Sequence, residues 1–289
     1  MDRRHPHRPF QSEWIRPFLK GREIVSVQLL AGGKSNTNYK IKLDDGNTYV
    51  LRLYSRTQPG IECYVMGLVE GLVPTPTELY RGDRFSVFSF LPGRPLEEVP
   101  EFSKKAAKAL ARIASVSFAS PGKLNADGTI TPWPFAGLKG FISRMIADER
   151  VCHWIGNERI TRIKTVLEKE AVPIAELDAQ SQLVHGDFNP GNILIHDGEV
   201  SGVLDWEFSF AGTPYIDIGN LLRNLDEHYH ADIYTGLAAG GMNLPQDWKK
   251  RAQMADLSSH LEFLTSNRAD AFKRKCVAKI DDFFSKFPD

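Results

Sequence analysis

The sequence predicts an α+β chain of two lobes, a small antiparallel β-lobe with one helix followed by a larger, mainly α-helical lobe. Three observations predict it. Up to residue 91, short apolar runs alternate with polar residues and are separated by glycine and proline turns. Leu91-Pro92-Gly93-Arg94-Pro95 then breaks the chain, and beyond it apolar residues recur at helical spacing. Within the second part, three short apolar runs surround His185-Gly186-Asp187 and Asp205. The expected division is residues 1–91 and 92–289.

In chain order, Trp14 to Leu19 reads as a short amphipathic helix and Ile24 to Leu30 as a strand. A glycine loop, Gly32-Gly33-Lys34-Ser35-Asn36, leads to strands at Tyr39 to Leu43 and Thr48 to Tyr54, joined by Asp44-Asp45-Gly46-Asn47. Pro59 opens a helix over Ile61 to Glu70, closed by Gly71. Thr77 to Tyr80 and Phe85 to Phe90 complete the strands of the small lobe. Helices are predicted at Ser103 to Phe118 with Ser at its start, Leu138 to Ile155 and Glu158 to Lys169. Strands follow at Leu183 to Val184, Ile193 to Ile195 and Val200 to Leu204. The tail reads as helices at Ile216 to Asn224, Tyr229 to Ala238, Gln246 to Thr265 and Ala269 to Phe287.

Composition narrows the function classes. Lys+Arg and Asp+Glu balance at 36 each, so no global basic field draws the chain to nucleic acid or an anionic membrane. No apolar run reaches the length of a membrane span. Met1 to Pro9 is basic without an apolar stretch behind it, unlike a secretory leader. Three scattered cysteines, Cys63, Cys152 and Cys276, form no disulfide or zinc pattern and fit a reducing cytoplasm.

Asp187, Asn192 five positions on, and Asp205 after the next apolar hairpin form the layout of a phosphoryl-transfer site. One carboxylate orients an attacking hydroxyl, while the amide and the other carboxylate offer hard oxygens to magnesium. A plain Gly/Asn/Pro turn accounts for Pro190 and Gly191 but not for two acids and an amide at these offsets.

On these residues the chain, from about Ile24 to Leu225, resembles the aminoglycoside phosphotransferase and choline kinase-like family, relatives of the protein kinases. The resemblance implies a two-lobed protein-kinase-like fold, ATP or GTP as donor, Mg2+, and a small-molecule hydroxyl as acceptor. It makes Asp187 the catalytic base, Asn192 and Asp205 the metal ligands, and His185 an orienting residue. The nucleotide would meet Gly33, Ser35 and Asn36 of the glycine loop, Val50 over the base, and Ser89 and Leu91 at the adenine edge. Arg52 stands where protein kinases place a phosphate-gripping Lys, with Glu62 as its ion-pair partner. Asp217 resembles the family's buried helix-start Asp, capping its helix and bracing the catalytic loop.

Only eleven residues separate Asp205 from Asp217, too few for a peptide-docking platform, which points to a small acceptor. Acids outnumber bases between Asp205 and Asp232. Glu207, Asp226 and Glu227 are candidate acceptor contacts, and an acidic cleft would favour a cationic acceptor such as an aminoglycoside, an amino sugar or a choline-like compound. A solvated helix face explains the same acids, and a neutral acceptor stays open. The expected protein is a cytoplasmic monomer or homodimer with no nucleic-acid or membrane partner. The alternative is a non-catalytic nucleotide- or ligand-binding relative, which Arg52 keeps in play and the intact Asp187, Asn192 and Asp205 oppose.

Overall fold

A 3-10 turn, Ser12–Ile15, runs into α1 (Arg16–Leu19) and lies across a five-stranded antiparallel sheet. The computed structural model describes residues 6–30, 36–55 and 60–287. The strands are β1 (Ile24–Leu30), β2 (Thr37–Leu43), β3 (Thr48–Leu53), β4 (Glu78–Arg81) and β5 (Phe85–Ser89), in the order β1-β2-β3-β5-β4. Two-residue alternation sorts their side chains. Tyr39, Ile41, Leu43, Leu51, Leu53 and Val87 gather with Ile15 in an outer core. Val50 and Arg52 occupy the opposite face, where Val50 packs against the main core. Between β3 and β4 lies α2 (Gly60–Leu68), anchored in the main core by Val65 and Met66.

The expected linker is partly a strand. Arg94–Pro95 (β6) pairs with β10 (Ile193–His196), and Ser201 Oγ donates to the Pro92 carbonyl. The crossing between the lobes is therefore fastened at both ends rather than slack.

The larger part follows as α3 (Ser103–Ile113), β7 (Lys123–Leu124), β8 (Ile130–Thr131), α4 (Gly137–Met145), α5 (Glu149–Lys169) and α6 (Ala171–Asp178). Next come β9 (Gln182–Val184), β10, β11 (Glu199–Val203), β12 (Phe210–Gly212), α7 (Tyr215–Asn224), α8 (His230–Ala239), α9 (Trp248–Leu264) and α10 (Asp270–Lys286).

Several expectations need correction here. The helix expected to reach Phe118 stops at Ile113, because Val116 and Phe118 give their backbone groups to Leu183 and Ser181. Ser103 is the first helical residue rather than a cap, and its buried hydroxyl has no hydrogen-bond partner among the described residues. The helix expected over Leu138 to Ile155 is two helices. Asp148 starts the second by accepting the Arg150 N–H. The break expected after Ile155 is present, at Gly156 with φ 70°. The β7–β8 hairpin, α6 and β12 were not expected.

The main core draws on both parts of the chain: Val65 and Phe88 from one, Leu110, Leu183, Phe188, Trp206 and Leu221 from the other. This continuity fixes the β3–α2 unit against the loops that carry Asp187 and Asp205. Among the described residues no helix is long and apolar enough to cross a membrane.

Candidate active site

Strand β9 delivers the chain into the loop His185-Gly186-Asp187. Gly186 has φ 81°, and a Cβ there would lie 2.4 Å from the Phe208 carbonyl oxygen, so a side chain is excluded. Beneath the loop, Asp217 accepts the backbone N–H groups of His185 (2.6 Å) and Gly186 (3.0 Å). Burial pushes the Asp217 carboxyl up to about 7, against the pull of those N–H groups. Asp217 thus holds the loop from below, but it does not cap its helix: it is the third residue of α7, and the position before the helix is Pro214.

The loop orients Asp187 from both sides. Asn189 Nδ2 donates to Oδ1 (2.8 Å), and Asn192 Nδ2 donates to Oδ2 (3.1 Å) and to the Asp187 carbonyl (2.9 Å). Asn189 also accepts the Gly191 N–H (3.0 Å), starting the 3-10 turn Pro190–Asn192. With Nδ2 so committed, Asn192 Oδ1 is its outstanding acceptor, with no hydrogen bond from the described residues. The Asn192 carbonyl accepts Leu204 N–H (2.9 Å), which sets Asp205 one residue further on.

Asp205 adopts φ 64°, ψ 62°, a left-handed conformation that costs a non-glycine residue about 1–3 kcal/mol. Trp206 holds it there. Its indole is fully buried, donates to the Val203 carbonyl (2.9 Å) and packs with its ring centroid 4.5 Å from that of His185.

His185 is a neutral brace. Its Nδ1 accepts the Asp187 N–H (3.2 Å), which leaves Nε2 to donate to the Leu204 carbonyl (2.9 Å). Burial drives its pKa below the ordinary 6.5, outweighing the attraction of the Asp187 carboxylate. Between that lowered value and 6.5 the unfolded chain binds a proton that the native one refuses, so stability falls as pH drops through the window. The urea midpoint of the wild type should therefore drop more than that of His185→Asn between about pH 7 and about pH 5. Parallel midpoints would contradict a buried neutral imidazole.

From the sheet, Arg52 reaches across. Its Nη1 meets Glu62 Oε1 of α2 (2.5 Å), its Nη2 meets Asp205 Oδ1 (3.4 Å), and its Nε donates to Asn38 Oδ1 (3.2 Å). The guanidinium lies 5.4 Å from the Phe88 ring centroid. Glu62 is 4% exposed, whereas the Asp205 side chain is 40% exposed. The buried acid is thus spent on Arg52, and the open one faces solvent.

Asp205 and Asn192 Oδ1 are hard oxygen donors and suit Mg2+, which takes one or two protein oxygens and fills its remaining positions from phosphates and water. Among the described residues no cluster of three His, Cys, Asp or Glu side chains offers a competing cage.

The structure thus joins Asp187, Asn192, Asp205, Arg52 and Glu62, with His185 and Asp217 underneath. Asn36 Oδ1 accepts the Ser55 N–H (3.2 Å) and ties the ends of β2 and β3. Gly33 and Ser35 lie outside the described residues. Ser89 Oγ accepts the Thr77 N–H (2.9 Å), and Leu91 packs on Gly202. Glu207 sits half-buried on the turn after Asp205.

The candidate acceptor acids fare differently. Asp226 is exposed, and Glu227, 79% exposed, pairs with Lys249. No hydrogen bond or ion pair among the described residues joins either to Asp187, Asn192 or Asp205. Asn38 and Asn189 were missed. Asn189 had a signal, an Asn before Pro and two residues from an acid; Asn38 had none, since only strand register brings it opposite Arg52. A cleft of about 520 Å3 opens beside the linker, lined by Lys40, Phe90, Gly93, Arg94, Phe102 and His196; neither Asp187 nor Asp205 lines it.

Residues 26–253 match the family described as "Phosphotransferase enzyme family". The chain is 24% identical over 223 residues to a homoserine kinase of Methylobacillus flagellatus, a match covering 71% of this chain and 65% of that protein, just under two thirds of its length. Its fold is similar to that of the macrolide 2'-phosphotransferase MphH of Brachybacterium faecium, with a TM-score of 0.70, 16% identity, and coverage of 94% of this chain and 98% of that one. It is also similar to a thermostable mutant of aminoglycoside phosphotransferase APH(4)-Ia in a ternary complex with AMP-PNP and hygromycin B, with a TM-score of 0.60, 18% identity and coverage of 95% and 98%. The family match spans most of the chain, and the chain belongs to the phosphotransferase enzyme family.

Proposed function

We propose that the protein is a small-molecule kinase, moving the γ-phosphoryl group of ATP or GTP to a hydroxyl between residues 1–91 and 92–289. The observation that carries this is the doubly clamped Asp187 carboxylate beside an Asn192 oxygen and an open Asp205. Asp187 accepts the hydroxyl proton and aligns the oxygen; alignment matters most, because the transition state is loose. Asn192 and Asp205 would hold Mg2+, which neutralises charge between the β- and γ-phosphates. Arg52, fixed by Glu62, directs its second arm toward the same charge. The segment from Asp205 to Asp217 is used up by the Trp206–Phe208 turn and β12, which supports a small acceptor over a peptide. Cys63, Cys152 and Cys276 are free thiols, which suits a cytoplasmic protein, as a monomer or homodimer.

The test is a panel of hydroxylated acceptors with γ-labelled ATP or GTP and Mg2+. Magnesium-dependent label transfer is expected for a subset, together with a rise in Tm that reflects about 2.7 kcal/mol at a hundredfold excess over Kd. No transfer to any acceptor would favour a binding-only relative, and no rise in Tm would remove the nucleotide as well.

A further inference from the structure

Five aromatic side chains in and around the segment that follows Asp205 serve neither core. Trp133 stacks on Phe135 with ring centroids 5.6 Å apart and planes 9° apart. Trp133 also meets Phe210 edge to face at 5.6 Å, and Phe135 meets Phe141 at 5.1 Å. Phe208 is 50% exposed, and the other four are half-buried. None of the five belongs to the main or the outer core, or to the side chains packed against them.

Phe208 and Phe210 are tied by the chain to the loop that carries Asp187, and ring contacts run from Phe210 through Trp133 and Phe135 to Phe141. Phe210 lies opposite Val184 in the β12–β9 pair, three residues before Asp187. The Phe208 carbonyl is the atom that forbids a side chain at Gly186, one residue before Asp187. Two residues separate Phe208 from Asp205. Large aromatic side chains left partly in water next to a reactive group retain apolar faces that a ligand can cover. Of the three acids offered as contacts for a cation, Asp226 and Glu227 stand in solvent, Glu227 already paired, and only the half-buried Glu207 lies on the turn after Asp205.

We propose that Phe208, Phe210, Trp133, Phe135 and Phe141 form the acceptor-binding wall, and that the acceptor is a neutral hydroxylated molecule with an apolar ring face beside the hydroxyl that is phosphorylated. This rests on the phosphotransfer reading for the hydroxyl, but the binding preference stands or falls separately. Ring stacking sets the orientation of the acceptor, and Asp187 meets the hydroxyl at the edge of the wall.

The test uses the full chain saturated with Mg2+ and AMP-PNP, so that binding is read without transfer. Ligand-observed NMR titrations compare phenyl β-D-glucoside with methyl β-D-glucoside, which share charge and hydroxyls, and with choline and hygromycin B as cationic comparators. The phenyl glucoside is expected to bind about tenfold more tightly than the methyl glucoside, the scale of one good aromatic contact. Phe208→Ala and Trp133→Ala should each erase most of that difference, Trp133→Phe should keep it, and AMP-PNP affinity should stay within about twofold in all three. Equal binding of the two glucosides, no binding of either, tighter binding of choline or hygromycin B, or a preference untouched by Phe208→Ala would each overturn the proposal. If the wild type binds as expected yet transfers no phosphate to any acceptor, the kinase reading fails and the wall remains.

Discussion

Asp187→Ala is expected to lower kcat by about a thousandfold, the range over which positioned general bases and alignment act together. Nucleotide affinity should change little, because Asp187 contacts none of Arg52, Glu62 or the Asp205 carboxylate. The loss should fall on kcat rather than on KM for nucleotide. Both carboxylate oxygens accept amide donors, so Asp187→Asn is no neutral control: its own amide nitrogen would face Asn189 or Asn192 donor to donor. Alanine leaves those donors short of an acceptor at a cost of about 1–3 kcal/mol, a modest drop in Tm that circular dichroism can separate from the loss of turnover. Turnover within about tenfold of wild type would remove Asp187 from the chemistry.

The second large effect concerns Arg52. Arg52→Met leaves Glu62 charged, 4% exposed and without its cation. Breaking a buried pair from one side typically costs about 3–5 kcal/mol, while replacing both partners by apolar groups is often near neutral. Arg52→Met should therefore destabilise strongly, and Arg52→Met with Glu62→Leu should recover most of the loss in urea unfolding. Arg52→Lys keeps the charge but cannot meet Glu62, Asp205 and Asn38 with one planar fork, so an intermediate loss is expected. All three variants should raise KM for nucleotide if the second guanidinium arm faces phosphate. Additive single and double losses, with coupling below about 0.5 kcal/mol, would show that the pair does not act as a unit.

Much of this was legible in the sequence, for physical reasons. Strand β2 alternates cleanly, because one of its faces is covered by Ile15 and its neighbours. Asp187, Asn192 and Asp205 stand at spacings set by one loop and one hairpin, so chain order alone brought them together. Glu62 could be paired with Arg52 because the helix after β3 has one acid in its first turn. What stayed hidden depends on tertiary contacts. Strands β7, β8 and β12 have two or three residues each, too few for any period to show. Asp217 looked like a helix cap because it lies near a helix start, yet its partners are backbone groups 31 and 32 positions earlier. The excess of acids near Asp226 suggested a cationic ligand, and the structure sets those side chains in water. The aromatic cluster gave no periodic signal, since its members come from a loop, a turn, a strand and a helix.

The most direct test of the account is the position of the metal. In a crystal of the protein with Mn2+ and AMP-PNP, anomalous scattering locates the ion without reference to any other feature. Manganese is expected within about 2–2.5 Å of an Asp205 carboxylate oxygen and Asn192 Oδ1, with Asp187 turned to the open side of the γ-phosphate. Manganese and triphosphate bound away from these oxygens, in the cleft beside Phe90 and Arg94 for instance, would contradict it.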